Sequence, residues 1–299
     1  LVEEHPLLNA VNGVYAGYST KWILNDHTKK TAAWGKVGAK IQEEITSAFR
    51  VIDLKQCKLS AFASIPQDFL ELGKVFLDSY IRKTLAEAIA CALEQAIISG
   101  NGQDKPVGLM MDMVGNNAQP KEAKAVTELS PKVFGEIVAE LSVTEKGMSK
   151  KVDRVQMIVN NKTYLTKIQP AIQVLNMEGR YVQELPFPTD IIISNEVEDG
   201  KAIVANLKDY FLGLAIGKEG TIEFSDEARF LDDERVYKVK MFACGMAMDN
   251  NTARVLDVTG LGEKTIKERF EELDKRVKVH TNEVNLRLPS SLNKAIYLA

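Results

Sequence analysis

An α+β fold is predicted by three features of this chain: one long amphipathic helix, strand-rich segments on both sides of it, and a tight glycine loop where the helix ends. The helix falls within Phe69 to Met110. Leu77, Ile81, Leu85, Ile89, Leu93 and Ile97 recur four residues apart. At about 100° per residue each step overshoots a turn by ~40°, so the apolar ladder winds around the helix and should meet different partners along its length. Ala86, Ala88, Ala90, Ala92 and Ala96 widen that surface, and Asp78 with Arg82 and Lys83 with Glu87 form i, i+4 pairs on the polar side. Pro66 and Gly73 predict a short first turn, separated at the glycine from a main helix of Lys74 to Ser99, about 40 Å long at 1.5 Å per residue.

The loop Gly100-Asn-Gly-Gln-Asp-Lys-Pro-Val-Gly follows directly. Gly100 and Gly102 are stop signals, and Pro106 and Gly108 complete a structural turn. It is not a phosphate loop, because it follows a helix and lacks the Gly-Lys-Ser/Thr ending.

The remaining elements follow in order. Residues 1–64 are extended in character. Trp34 sits in Thr-Ala-Ala-Trp-Gly-Lys-Val-Gly, where glycine on both sides of a short strand predicts a hairpin or bent ribbon, and Lys21, Lys29, Lys30, Lys36 and Lys40 make it basic. From Phe49 to Phe62 the pattern is strand-like, with Val51, Cys57, Leu59 and Ala61 on one face. Such a ribbon is marginal in water alone, so it must lie on the rest of the chain or on another copy. Ser130 to Leu214 reads as an α/β unit. Ser130-Pro131 starts a helix carrying Val133, Phe134, Ile137, Val138 and Leu141. Val155 to Val159 is a strand, and Asn160-Asn161 caps a helix through Tyr164, Leu165 and Ile168. Strands follow at 191–193, 202–205 and 210–216, with Asp199-Gly200 as a hairpin signal. From Glu219 to Val258 long strands return; Tyr237, Val239, Met241 and Ala243 alternate with Lys238, Lys240 and Phe242. Beyond Gly260, Ile266, Phe270, Leu273 and Val277 mark a short charged amphipathic helix ahead of a polar tail.

Composition narrows the function classes. The 299 residues are 45% hydrophobic and 26% charged, with net charge −3, enough for one large or two ordinary domains. No apolar run approaches the ~20 residues that span a bilayer, and no charged segment precedes an apolar one as in a secretory signal. Cys57, Cys91 and Cys244 are far apart, which fits a reducing compartment without a disulfide framework or zinc spacing. Leu1 stands where a methionine would; processing or the start of the sequence accounts for it equally. His5, His27 and His280 are the only histidines, and none lies near a cysteine or acidic cluster in sequence. No nucleophile elbow, zinc-protease or calcium-loop motif occurs. Asp232-Asp233-Glu234 could hold a hard cation but suits a solvated turn. The mixed charge of Thr265 to Val277 argues against a DNA reader. The expectation is therefore no catalytic residue, no cofactor and no metal.

Four stretches, in this order, resemble the major capsid proteins of tailed bacteriophages, with the Hong Kong 97-type fold: Thr31-Ala-Ala-Trp-Gly; Leu59-Ser-Ala-Phe-Ala-Ser-Ile-Pro; Ala96-Ile-Ile-Ser-Gly-Asn-Gly-Gln-Asp-Lys-Pro-Val-Gly-Leu; and Leu231-Asp-Asp-Glu-Arg-Val-Tyr-Lys-Val-Lys-Met-Phe-Ala-Cys-Gly-Met-Ala-Met-Asp. The resemblance spans roughly Leu8 to Val258. It implies an N-terminal arm (1–21), an extended loop lying over the adjacent subunit (22–58), a peripheral domain in two parts (59–129 with the spine helix, and 218–258), and an axial domain (130–217). Residues 259–299 extend beyond the minimal family pattern. The implied role is self-assembly into hexamers and pentamers of an icosahedral shell around double-stranded DNA. The implied partners are further copies of the chain, a scaffolding protein, a portal, and DNA bound without sequence specificity; no membrane is involved. The mild net acidity and absence of an arginine-rich arm agree with a container that does not grip its genome. Expected contacts between subunits are Trp34, Lys29, Lys30, Lys36, Lys40, Glu43, Glu44, Arg50 and Lys58. Some relatives join an arm lysine to an asparagine; Asn250 and Asn251 are the matching candidates, and they equally suit a turn. An encapsulin-type shell holding protein cargo is the alternative with the same fold, and a soluble enzyme with a two-part α/β body is the next.

Overall fold

The computed structural model describes residues 5–15, 21–25, 49–53, 56–115, 117–175, 181–183, 185–216 and 222–261. In chain order, α1 (Pro6–Ala10) and β1 (Asn12–Tyr15) are followed by β2 (Lys21–Asn25), β3 (Phe49–Asp53), β4 (Cys57–Pro66) and α2 (Gln67–Ser99). Next come β5 (Met111–Val114), β6 (Asn117–Pro120), β7 (Lys124–Ala125), α3 (Pro131–Leu141) and β8 (Val155–Val159). A helical stretch, α4 (Asn161–Thr163), a π-turn (Tyr164–Ile168) and α5 (Gln169–Ile172), leads to β9 (Gln173–Leu175), β10 (Tyr181–Gln183), β11 (Thr189–Ile193) and β12 (Lys201–Ala205). The last strands are β13 (Tyr210–Ile216), β14 (Glu223–Arg229), β15 (Glu234–Ala247) and β16 (Ala253–Asp257).

The first sheet is organised by β15. The strand runs 14 residues, but the predicted alternation holds only in part: Tyr237 is buried and Lys238 exposed, residues 239–242 are all half-buried, and 243–246 are buried on both faces, where β13 pairs alongside. β4 pairs with it antiparallel from Glu234↔Pro66 to Ala243↔Cys57. Its opposite edge carries β14 near the start and β13 from Met241 to Ala247. β1 then pairs parallel with β13. The strand expected over Phe49 to Phe62 is two strands with different partners: β3 pairs with β2, and β4 with β15.

α2 lies across one face of this sheet. It is 33 residues long, ~50 Å at 1.5 Å per residue, and unbroken at Gly73. A glycine inside a helix costs about 1 kcal/mol. Burial of Leu70, Ile81 and Leu85 around it, roughly 1.5–3 kcal/mol each, outweighs that. The winding of the apolar ladder is realised as three successive contacts. Leu70, Ile81 and Leu85 pack on Tyr237, Ala61, Ala63 and Ile65. Ile89 and Leu93 meet Ala243, Leu59 and Met241. Ile97 and Ile98 enter a cluster with Leu7, Ile158, Ile203, Ala205, Tyr210 and Leu212, which draws on both large sheets. The helix is thus the beam that joins them. The Tyr237 hydroxyl donates to Asp78 (2.9 Å), which also accepts from Arg82 (2.8 Å). The Arg82 bond holds the Asp78 carboxyl below its ordinary range; burial opposes it, and the Tyr237 hydroxyl adds a smaller lowering.

The second sheet has the order β11-β8-β12-β16-β7. All five residues of β8 are buried, as expected of a central strand. One face meets the end of α2 through Ile158 and Ile203; the other, with Met157, Val159, Val204 and Leu256, is covered by Phe134, Ile137 and Leu141 of α3. The Ser130 hydroxyl caps α3 by accepting from the Val133 N–H, and Asn160 caps α4 by accepting from Lys162. The π-turn has a sequence cause. Pro170 brings no N–H, and the Gln169 N–H reaches back five residues to the Tyr164 carbonyl. The hairpin expected at Asp199-Gly200 does not form. Gly200 makes a tight turn (φ 79°), but β11 and β12 lie on opposite sides of β8, which buries both faces and needs a partner at each edge. The sheets do not divide the chain at residues 130 and 217 either: β13 belongs to the first sheet, while β7 and β16 belong to the second.

Candidate assembly surfaces

The glycine loop closes the junction between the sheets. Beyond Cys57, where β4 begins, the Val107 N–H donates to the Gly245 carbonyl (2.8 Å) and continues that edge of β15. The chain then turns back along the end of α2: Gly108, Leu109 and Met110 donate to Gly100, Ile97 and Ile98 at 2.8, 2.7 and 3.0 Å. Backbone meets backbone so closely that a Cβ on Gly100 would stand 2.1 Å from the Pro106 carbonyl oxygen, and one on Gly108 2.6 Å from Gly100 N and Ile98 O. Gly102 has φ 73° and Asp104 φ 55°, as a reversal this tight requires. Tyr210 anchors the loop from beneath by donating to the Val107 carbonyl (2.8 Å), and burial pushes its hydroxyl pKa up. The loop is a fixed corner built from backbone.

Asn250 and Asn251 sit in a polar knot. Asn250 accepts from the Met113 N–H (2.8 Å) and donates to the Met113 carbonyl (3.0 Å) and the Glu145 carboxylate. Asn251 donates to the Val143 carbonyl (2.8 Å) and accepts from Arg254 (3.0 Å). Lys121 reaches Asp112 at 2.5 Å and the Asn250 carbonyl; burial lowers its pKa, opposed by Asp112. The knot ties the β5–β6 hairpin, the end of α3 and the turn before β16. Both asparagine amides are engaged within their own subunit. His5 is buried against Glu94 (3.3 Å), and Ser194 also bonds that carboxylate, which pins α1 to α2.

The outward surface carries apolar side chains that nothing in the described residues covers. Phe69, Phe76 and Tyr80 form a stripe on the solvent side of α2, with Phe76 and Tyr80 stacked at 6.4 Å. Phe62 stands on the sheet face opposite α2, opposite Lys238 in register. Phe230 and Leu231, 77% and 96% exposed, cap the β14–β15 turn. This turn includes the Asp232-Asp233-Glu234 run, in which Glu234 pairs with Arg229 (2.7 Å). Contiguous exposed apolar groups, such as the α2 stripe and the Phe230–Leu231 pair, are the features of a subunit that suit contact surfaces.

Of the residues expected at subunit contacts, Trp34, Lys29, Lys30, Lys36, Lys40, Glu43 and Glu44 lie outside the described residues. Arg50 falls in β3, paired in register with Leu24. Lys58 is exposed on β4 and has no ion-pair partner among the described residues. The structure brings none of these together. Sequence reasoning missed the stripe Phe69, Phe76, Tyr80, although its spacing of seven and four is itself a helical signal.

A sequence model described as the phage capsid family matches residues 1–258. The chain belongs to the phage capsid family. Solved structures share the fold of this capsid protein at low identity. The capsid of an empty GTA particle matches with a TM-score of 0.59 and 15% identity, covering 84% of this chain and 89% of that one. The procapsid of satellite phage P4, which includes a size determination protein, matches at 0.54 and 12%, covering 87% and 89%. The encapsulin SrpI of Synechococcus elongatus matches at 0.53 and 13%, covering 86% and 89%. The comparison with curated proteins finds no match. The α+β Hong Kong 97-type architecture expected from the sequence is therefore the fold of this capsid protein. No described helix is long and apolar enough to cross a membrane.

Proposed function

We propose that the chain is the major capsid protein of a tailed phage, assembling through hexamers and pentamers into an icosahedral shell around double-stranded DNA. The carrying observation is the contrast between a filled core and the bare apolar groups at Phe76, Phe230 and Leu231. A lone subunit would hold these in water; a shell buries them between copies. In this reading the first sheet with α2 is the body of the peripheral domain, and the second sheet with α3 is the body of the axial domain, directed at the capsomer centre. The arm with Trp34 lies on a neighbour. The role is structural and uses no cofactor. Scaffolding protein and portal join during assembly in the host cytoplasm, and DNA is enclosed by volume and charge rather than read.

An encapsulin-type compartment is the second reading, favoured by the likeness to SrpI. One experiment separates the readings. The expressed chain is sedimented and the fastest fraction imaged by electron microscopy, with its nucleic-acid and protein content measured. Shells or capsomers that package DNA beside a scaffold and portal support the phage reading. Shells carrying a single enzyme cargo support the second. A uniform small species, unchanged by scaffold, refutes both.

A further inference from the structure

The stripe on α2 has a counterpart in the part of the chain that the family match does not cover. Phe69, Phe76 and Tyr80 lie at relative positions 0, 7 and 11, within about 40° of one another around the helix. The family match ends at residue 258, and the chain continues to 299. Within that extension Ile266, Phe270, Leu273 and Val277 take positions 0, 4, 7 and 11. Both stripes are ~16 Å long at 1.5 Å per residue, and each is flanked by charge. The extension's stripe belongs to an amphipathic helix by sequence, which gains little stability without a partner for its apolar face.

Where the described chain ends decides which copy supplies that partner. Leu261 is buried with Phe134, Ile137 and Leu256, on the α3 side of the second sheet. Among the described residues, the apolar contact of α2 with this sheet is on the other side, through Ile97 and Ile98. From there Phe76 is ~30 Å back along α2, over the first sheet. Phe270 lies nine residues after Leu261. Four extended residues and a helical remainder reach only ~20 Å. A reach this short favours the stripe of a neighbouring copy over that of its own subunit.

We propose that residues 265–277 dock as a helix on the Phe69–Phe76–Tyr80 stripe of an adjacent subunit, so that the extension is a strap between copies. This rests on the reading that the chain forms shells. The strap adds apolar contact between subunits beyond what the family-matched residues provide, and it binds only where a neighbour is in place.

The test is disulfide trapping in assembled particles. Cys57→Ser with Cys91→Ser removes the exposed and half-buried thiols and leaves buried Cys244. Phe76→Cys is combined in one chain with Phe270→Cys or with Leu273→Cys, which cover antiparallel and parallel docking. Oxidised particles are run on a non-reducing denaturing gel beside the single-cysteine variants. The proposal expects a ladder of linked subunits that involves most of the protein in one of the two pairs and is absent from the single variants. Particles that form but show no ladder in either pair overturn it, as does a link confined within one chain. Where Phe76→Cys compromises assembly, Tyr80→Cys with Ile266→Cys or Val277→Cys replaces it. Failure to form particles even with the unaltered chain and a scaffold counts against the shell reading itself, so the two failures are distinct.

Discussion

Two alanine substitutions should act in opposite directions. Gly108→Ala places a methyl 2.6 Å from Gly100 N and Ile98 O, and both are backbone atoms that no rotamer change can move aside. Relief to an ordinary contact requires the loop to lift by ~0.8 Å. That would stretch bonds now at 2.7–3.0 Å from Gly108, Leu109 and Met110 beyond hydrogen-bonding range. Two or three buried backbone bonds lost at ~1 kcal/mol each, with the penalty for groups left unpaired, give about 3–5 kcal/mol of destabilisation. Gly135→Ala lies on α3, where the new methyl meets nothing within 4 Å. It should stabilise by up to ~1 kcal/mol through helix propensity. Urea unfolding of unassembled subunits measures both. With m near 3 kcal/mol per M, the midpoints should separate by at least about 1 M. Equal midpoints would show that the loop is compliant and that the argument from backbone contact fails.

Further expectations concern assembly and pH. Phe230→Ser with Leu231→Ser removes apolar groups that contribute nothing to the subunit core, so the melting temperature should hold while sedimentation shows loss of particles; a parallel fall in melting temperature would contradict the contact role. Trp34→Ala should likewise impair assembly more than subunit folding, measured by sedimentation and thermal melting. Asp78 has a folded pKa below its unfolded value, so its stabilising contribution is present above the unfolded pKa and fades as pH falls through the folded one. Asp78→Asn should flatten the acid limb of a urea-midpoint-against-pH curve, and an unchanged limb would discount the Arg82–Tyr237 arrangement. With Asn250 and Asn251 occupied inside their own subunit, mature particles should run as monomer bands on a reducing denaturing gel.

What could be read from sequence was local in origin. The winding ladder of α2 needs only its own residues, and the three clusters beneath it follow from a 40° drift. The caps at Ser130 and Asn160 are likewise decided within three residues. Asp199-Gly200 failed for the complementary reason: the turn is real, but the choice of β8 rather than β12 as neighbour to β11 is made by burial elsewhere. Gly73 misled because its propensity cost is smaller than the tertiary burial on either side. The polar knot joins residues 112, 121, 145 and 250, and no spacing announces it. The π-turn was legible in principle, since Pro170 withholds a donor in mid-helix.

The long strand β15 has a consequence for how the subunit comes off the ribosome. β4 and α2 are made early, yet their partner residues, 234–247, come near the end of the described chain. At ~5–20 residues per second, the wait is of order ten seconds or more, during which the apolar side of α2 has no sheet to cover it. Contacts so distant in sequence slow the search for the native state. A newly made subunit is therefore vulnerable to aggregation until β15 emerges, which predicts a strong dependence on chaperones for its yield.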